Sequence, residues 1–185
     1  MNKLSLSLII ISFILGLTLG FALSPEYTFK MKSRQSAMKE LGNPDKFLDQ
    51  RYLNNLIAHH QSAIYMAKQV ETNSKRKEMV DLAKEIIKVD EASIKELYSW
   101  KKSWYQNDRT INNFEKINLG GYDEKFDLRF LNALIAHHDE AIMGATEVRT
   151  KSQRNEVLNL ADSIIEGLSK SKEALLKYRL TWYQI

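Results

Sequence analysis

The chain has 185 residues, of which 27 are basic and 23 acidic, for a formal net charge of +4. Its 44% hydrophobic and 27% charged residues exclude the disordered class, and its 7 Gly and 2 Pro exclude collagen and most turn-dense β folds. The absence of Cys excludes disulfides, thiolate-bound zinc and iron–sulfur clusters. Because the basic and acidic residues nearly balance, we expect no nucleic-acid binding.

The N-terminal residues 4–23 form a run of twenty uncharged, mostly apolar positions behind Lys3. About 20 such residues span a bilayer core as a helix, whereas the apolar region of a cleaved signal peptide is shorter. We therefore predict a membrane anchor in residues 1–24, with a cleaved signal segment as the alternative, followed by a linker at 25–43. The basic residues behind the run favour a cytoplasmic body, whereas signal-like N-termini deliver the body outward, so these two arguments conflict.

The body of the chain is an internal repeat. A shift of 78 positions aligns residues 49–105 with 127–183 without a gap, and 25 of the 57 aligned pairs are identical. Apolar residues recur every three or four positions in each copy, which indicates two helices per repeat and no strands. The predicted helices cover about 46–72, 75–105, 124–150 and 153–183.

Two helical hairpins with one apolar face each must bury those faces against one another, which predicts an all-α four-helix bundle. Repeat 1 is assigned to residues 44–105, a linker to 106–122 and repeat 2 to 123–185. Asn43 and Pro44 are interpreted as an N-cap followed by proline at the first helical position. The linker is long enough to run the length of the bundle, as in ferritin-like folds, or to turn at one end, and the sequence leaves both courses open.

All four histidines occur as adjacent pairs, His59-His60 and His137-His138, at equivalent positions of the two repeats. Each pair lies near the middle of an apolar helix, so parallel and antiparallel arrangements both bring the pairs to one level of the bundle. Unpartnered polar groups are costly to bury, and neutral imidazole is the commonest metal ligand. We predict one shared site for a divalent or monovalent transition-metal ion, with purely hydrogen-bonded core histidines as the alternative.

Two methionines near the histidines are candidate thioether ligands. Met66 lies seven residues after His59, and Met143 lies six after His137. A thioether beside imidazole suits copper, above all the reduced ion, so copper is the preferred metal and zinc the second. Because the two methionines are not at equivalent positions of the repeats, core packing is the alternative for both.

A ferritin-like di-iron enzyme would need inward carboxylates and Glu-x-x-His on two helices. The positions three before the histidines are all apolar: Leu56, Ile57, Leu134 and Ile135. We therefore expect no enzymatic activity and predict no catalytic residues. A haem held by two histidines remains a minor variant of the metal-binding hypothesis.

The runs around the histidine pairs resemble the domain of unknown function 305 family. Its signature, x-Met-Ile-x-His-His-x-x-Ala-Ile-x-Met-Ala, corresponds to residues 55–67 in the first copy and 133–145 in the second. The likeness covers residues 49–185. It implies a ferritin-like bundle, commonly exported or membrane-anchored, and some similar proteins are implicated in copper binding and tolerance through His and Met. On this basis we expect a single-pass or exported protein whose body is periplasmic or otherwise extracytoplasmic, with the membrane and a metal ion as its partners.

The chain departs from the family pattern mainly in its sulfur ligands. The first family Met is Leu56 in one copy and Leu134 in the other, and the second is kept as Met66 but replaced by Gly144. Later positions that often carry Gln, Glu and Met differ in both copies: Asp90, Ser93, Leu97, Leu168, Ser171 and Leu175. A histidine-dominated site for copper(II), zinc or another divalent ion is therefore easier to build than a Met-dominated copper(I) site.

Overall fold

Four helices make up the body of the chain in the structure, a computed structural model that describes residues 40–185. The helices are α1 (Leu48–Asn73), α2 (Lys77–Tyr105), α3 (Phe126–Arg149) and α4 (Asn155–Tyr183). No strand occurs within the described residues, so the all-α prediction is confirmed. The apolar run at 4–23 lies outside them, and no helix between residues 40 and 185 is long and apolar enough to cross a membrane.

The helices form two hairpins, α1 with α2 and α3 with α4, and the hairpins pack together through α1 and α3. One apolar core draws residues from all four helices, among them Leu53, Leu97, Val148 and Val157. Each helix has one apolar face, and the four faces are buried together in this shared core. The arrangement is the one expected for a four-helix bundle.

Equivalent contacts at the two ends relate the hairpins by an approximate two-fold axis. Arg154, in the turn between α3 and α4, lies 3.4 Å from the carboxylate of Asp49 in the first turn of α1. Arg76, in the turn between α1 and α2, lies at the same distance from Asp127 in the first turn of α3. These pairs correspond under the 78-residue shift, and they show that α1 and α3 run antiparallel.

Each of these arginines also covers a tryptophan in the last turn of a neighbouring helix. The guanidinium of Arg154 lies 4.1 Å from the ring centroid of Trp104, and that of Arg76 lies 4.6 Å from the centroid of Trp182. Both distances are within the range of cation–π attraction. We call the two groups the end clamps: Arg154 with Asp49 and Trp104, and Arg76 with Asp127 and Trp182.

The segment 106–125 runs along α1 and joins opposite ends of the bundle. Near its start, the carbonyl of Ile111 accepts a hydrogen bond of 2.8 Å from Gln61 in the middle of α1. Near its end, the N–H of Leu119 donates to the side-chain oxygen of Gln69 at 2.9 Å, close to the C-terminus of α1. The structure therefore decides between the two courses that the sequence left open, in favour of the lengthwise one.

The predicted N-cap at Asn43, with Pro44 at the first helical position, is wrong, because Pro44 lies before the helix and α1 begins at Leu48, two residues after the predicted start at 46. Asp45 accepts two hydrogen bonds from the guanidinium of Arg51, at 2.8 and 3.0 Å, and Arg51 also donates to the carbonyl of Leu41 at 2.7 Å. These bonds hold the segment before α1 in a non-helical turn.

The same turn precedes α3. Arg129 binds Asp123 at 2.8 Å and the carbonyl of Leu119 at 2.6 Å. The turns include Gly42 and Gly120, whose φ angles of 70° and 77° favour glycine. The structural repeat therefore begins at Leu41 and Leu119, eight residues before the aligned segments 49–105 and 127–183.

Candidate metal centre

Both histidine pairs line one cavity of about 360 Å³, to which all four helices contribute. Nine of its lining residues have apolar side chains: Leu56, Ala63, Leu82, Ile86, Val89, Leu134, Ala141, Ile164 and Leu168. The two repeats contribute their histidines from α1 and α3, at equivalent heights, because these helices are antiparallel and the pairs are near their middles. The structure thus brings the four predicted imidazole ligands to one place.

His59 and His137 stack face to face near the two-fold axis. Their ring centroids are 3.5 Å apart and their planes are inclined by 12°. His137 Nε2 lies 3.1 Å from the carbonyl oxygen of His59, which can only accept, so this nitrogen carries the proton and Nδ1 carries the lone pair. Two nearly parallel rings cannot both direct in-plane lone pairs at one ion, so a metal shared by these two residues requires one ring to rotate.

His60 is paired with a carboxylate. Its Nδ1 lies 2.9 Å from Oδ1 of Asp90 on α2, and both side chains are largely buried. An ionised carboxylate only accepts hydrogen bonds, so Nδ1 donates and the neutral ring keeps its lone pair on Nε2. Metal-binding histidines usually have such an outer partner, which fixes their orientation and raises their basicity.

His138 has a hydroxyl partner instead. Its Nε2 lies 2.9 Å from Oγ of Ser171 on α4, and its Nδ1 is buried without a hydrogen-bond partner. Nε2 of His59 is also buried and unpartnered. Buried nitrogens that lack partners are uncommon, and a metal ion would satisfy such nitrogens where they carry a lone pair. These two nitrogens are therefore the feature of the cavity that fits a metal, although they do not form a preformed cluster of ligands.

Burial keeps three of the four imidazoles neutral. Desolvation, reinforced by the neighbouring histidines, holds the pKa of His59 well below its ordinary value. Burial likewise lowers the pKa of His137 to about 3 and that of His138 to about 4. At neutral pH these rings are in the unprotonated form that a metal requires.

The two methionines lie outside the histidine cavity. Met66 is fully buried but is not among the residues that line it. Met143 is 62% exposed and lines a separate surface pocket beside Glu147. Between residues 40 and 185, no group of three or more His, Cys, Asp or Glu side chains lies close enough to hold a metal ion. The candidate centre is therefore built from histidine pairs with outer partners, without a preformed larger cluster in this part of the chain.

In the sequence, Asp90 and Ser171 stand out only as departures from the family pattern, which does not indicate their role as histidine partners. The register of an antiparallel hairpin would have found the first of them. His60 and Asp90 each lie fifteen residues from Lys75 in the turn, so they face each other across the hairpin. No comparable rule identifies Ser171, which depends on the rotamer of His138.

The comparisons with known proteins agree with this fold. The model of the family "Domain of unknown function (DUF305)" matches residues 49–123 and 117–175. Structures of CopM in a silver-bound form (by co-crystallization) and in the Cu(I)-bound form are 30% identical, with a TM-score of 0.65, and cover 73% of this chain and 97% of theirs. Apo CopM is also 30% identical, with a TM-score of 0.64. No curated protein sequence matches the chain significantly. Since the family model accounts for more than half of its residues, the chain belongs to the DUF305 family.

Proposed function

We propose that this protein is a non-catalytic metal-handling protein of the cell envelope that binds a transition-metal ion through its two histidine pairs. The observation that carries the proposal is that all four histidines of the chain line one cavity, where His59 Nε2 and His138 Nδ1 are buried without partners. Unsatisfied nitrogen lone pairs in an apolar cavity are suited to a cation that imidazole binds well. The bound ion would give these buried nitrogens the partner that the protein does not supply.

Copper is the first candidate for this ion. CopM, which is similar over nearly its whole length, has structures in Cu(I)-bound, Cu(II)-bound and silver-bound forms. The cavity offers His59, His60, His137 and His138, and imidazole suits copper(II) and zinc as well as copper(I). Met66 and Met143 remain candidates from the sequence alone, and since neither lines the cavity we propose a histidine-based site.

We also propose that residues 4–23 anchor the protein in a membrane and that the helical body is ferritin-like and extracytoplasmic. The apolar length of that run supports the anchor. The lengthwise course of residues 106–125 supports the ferritin-like classification, because those folds have one long crossover. Carbonate extraction of membranes tests the anchor, and a mature N-terminus near Leu23 would show cleavage instead.

A bundle that binds no metal is the second candidate, and one observation favours it. The four histidines already have protein contacts: the stacked pair, His60 with Asp90, and His138 with Ser171. In that case the imidazoles only fix the register of the hairpins. An enzymatic role is not proposed, since the Glu-x-x-His motif of di-iron proteins is absent from the sequence.

Metal content and metal-dependent stability separate these functions. The full chain, purified without a His tag, is expected to contain copper or zinc and to melt at a higher temperature with copper(II) in excess at neutral pH. The double variant His60→Ala and His138→Ala is expected to abolish that rise, because it removes one imidazole from each pair. The matched control Met66→Leu and Met143→Leu is expected to keep it. An unmutated protein without metal and without a metal-dependent shift would favour the metal-free bundle.

A further inference from the structure

The charged residues that line the cavity come from one repeat only, although both repeats contribute to its walls. The carboxylates among its lining residues, Glu85 and Asp90, both belong to α2. The equivalent positions on α4 hold Ser163 and Leu168, which also line the cavity. No Lys or Arg is among the lining residues. Among the residues that line the cavity, negative charge therefore comes from the first repeat only. Asp139 of the second repeat, which follows His138, lies outside the lining and is paired with Lys172 at 2.6 Å.

Asp90 is the carboxylate that contacts a histidine. Its Oδ1 lies 2.9 Å from Nδ1 of His60, and its side chain is only 14% exposed, so solvent screens its charge weakly. In the second repeat, the partner of His138 is the neutral hydroxyl of Ser171. The two histidine pairs thus differ in the charge of the group behind them.

We infer that Asp90 is a positioning residue, which strengthens His60 as a ligand and biases the cavity toward divalent over monovalent ions. The inference rests on the proposed function, since it requires that the histidines bind metal. A carboxylate behind a ligating histidine fixes the ring and strengthens it as a donor. Coulomb attraction is proportional to the charge of the ion, so the same carboxylate stabilises copper(II) about twice as much as silver(I).

The variant Asp90→Asn tests the bias because it keeps an oxygen that accepts the Nδ1–H bond but removes the charge. On the untagged full chain, the Kd for copper(II) is expected to rise about 10- to 100-fold, as for other outer-partner substitutions. The Kd for silver(I) is expected to rise by about the square root of that factor, roughly 3- to 10-fold, since the ion has half the charge. The copper(II) electron paramagnetic resonance spectrum should also change, because the donor strength of His60 falls.

The matched control is Glu91→Gln, which removes the same charge from the same helix at an exposed position outside the cavity lining. It is expected to change either Kd by less than about twofold, because exposed charges are screened. The reverse change, Leu168→Asp, adds a carboxylate at the equivalent position of α4. It is expected to strengthen copper(II) binding more than silver(I) binding, and it keeps the inference testable if Asp90→Asn folds poorly.

The outcomes are distinguishable from a failure of the proposed function. Equal losses of affinity for the two ions in Asp90→Asn, or no loss for either, would overturn the inference while the unmutated chain still binds metal. An unmutated chain that binds neither copper(II) nor silver(I) would instead overturn the proposed function. A loss of affinity in Asp90→Asn that is larger for copper(II) than for silver(I), and absent in Glu91→Gln, supports the inference.

Discussion

The buried imidazoles couple the protonation of the protein to its folding. The pKa values of His59, His137 and His138 all lie below that of a histidine in an unfolded chain, chiefly because burial penalises the charged ring. Below about pH 6.5 the unfolded state therefore binds more protons than the folded state, and acid favours unfolding. The stacked rings of His59 and His137 must also be neutral, because two cationic rings with centroids 3.5 Å apart would repel each other.

We expect the metal-free protein to lose stability between pH 7 and pH 5. Each of the three histidines whose pKa is lowered reduces the free energy of unfolding by up to about 1.4 kcal/mol per pH unit, once the pH is below the pKa of histidine in the unfolded chain. The loss continues toward the folded-state pKa values of about 3 for His137 and about 4 for His138. Urea unfolding at several pH values measures it.

The control is His138→Gln, which removes one of the three buried imidazoles but keeps a polar side chain near Ser171. Its stability is expected to depend less steeply on pH than that of the unmutated protein. A free energy of unfolding that is constant or increases on acidification from pH 7 to pH 5 would contradict this account.

The helices themselves follow from local pattern, whereas the segments between them depend on tertiary hydrogen bonds. The three- and four-residue spacing of apolar side chains located all four helices to within two residues at each end. The start of α1 is set by Arg51, which reaches back ten residues to Leu41, and no periodic signal marks such a bond. The course of residues 106–125 likewise depends on glutamines of α1, which read in sequence as ordinary polar surface positions.

We expect Gln69→Ala to destabilise the protein by about 1–3 kcal/mol. The Gln69 side chain donates to the carbonyl of Ile117 and accepts from the N–H of Leu119, both at 2.9 Å, so its loss leaves two main-chain groups of the linker without partners. Chemical denaturation gives the free energy, and hydrogen exchange at Leu119 reports the local loss of protection.

Gln61→Ala is the matched control, because Gln61 donates a single bond to the linker, at Ile111. We expect a cost of about 0.5–1.5 kcal/mol for that variant. A cost for Gln61→Ala equal to or greater than that for Gln69→Ala would show that the two-bond contact does not anchor the linker.

For the whole molecule, the end clamps join the two hairpins at opposite ends of the bundle. Each arginine combines an ion pair with a largely buried carboxylate and a cation–π contact, and the two sets are equivalent under the repeat. The sequence contained this information as the identical pairs Arg76/Arg154, Asp49/Asp127 and Trp104/Trp182, but identity alone does not reveal that each contact crosses between repeats. The two-fold relation in the fold was needed to assign the partners.

We expect Arg76→Ala and Arg154→Ala each to cost about 1–2 kcal/mol, since each removes a cation–π contact and leaves a carboxylate unpaired. The double variant is expected to cost the sum to within about 0.5 kcal/mol, because the clamps are separated by the length of α1 and share no residue. Urea unfolding of the unmutated protein, the two single variants and the double variant gives the free energies for this double-mutant cycle.

Arg149→Ala serves as the control, since the ion pair of Arg149 with Asp162 is more than half exposed on both sides. Exposed pairs contribute about 0–1 kcal/mol, so this substitution should be milder than either clamp variant. A strongly unequal cost of the two clamp variants would contradict the functional equivalence of the two ends.

When a duplicated sequence folds about a two-fold axis, its positions are of two kinds, which differ in how freely the two copies can diverge. A residue that touches its own copy, as His59 touches His137, cannot change in one repeat without altering the surroundings of the other. A residue that does not touch its copy can diverge alone, as Asp90 and Leu168 have done. The stacked rings therefore keep the repeats alike where they meet, while the cavity walls are free to specialise. A symmetric scaffold can in this way acquire a one-sided binding pocket with no change of fold.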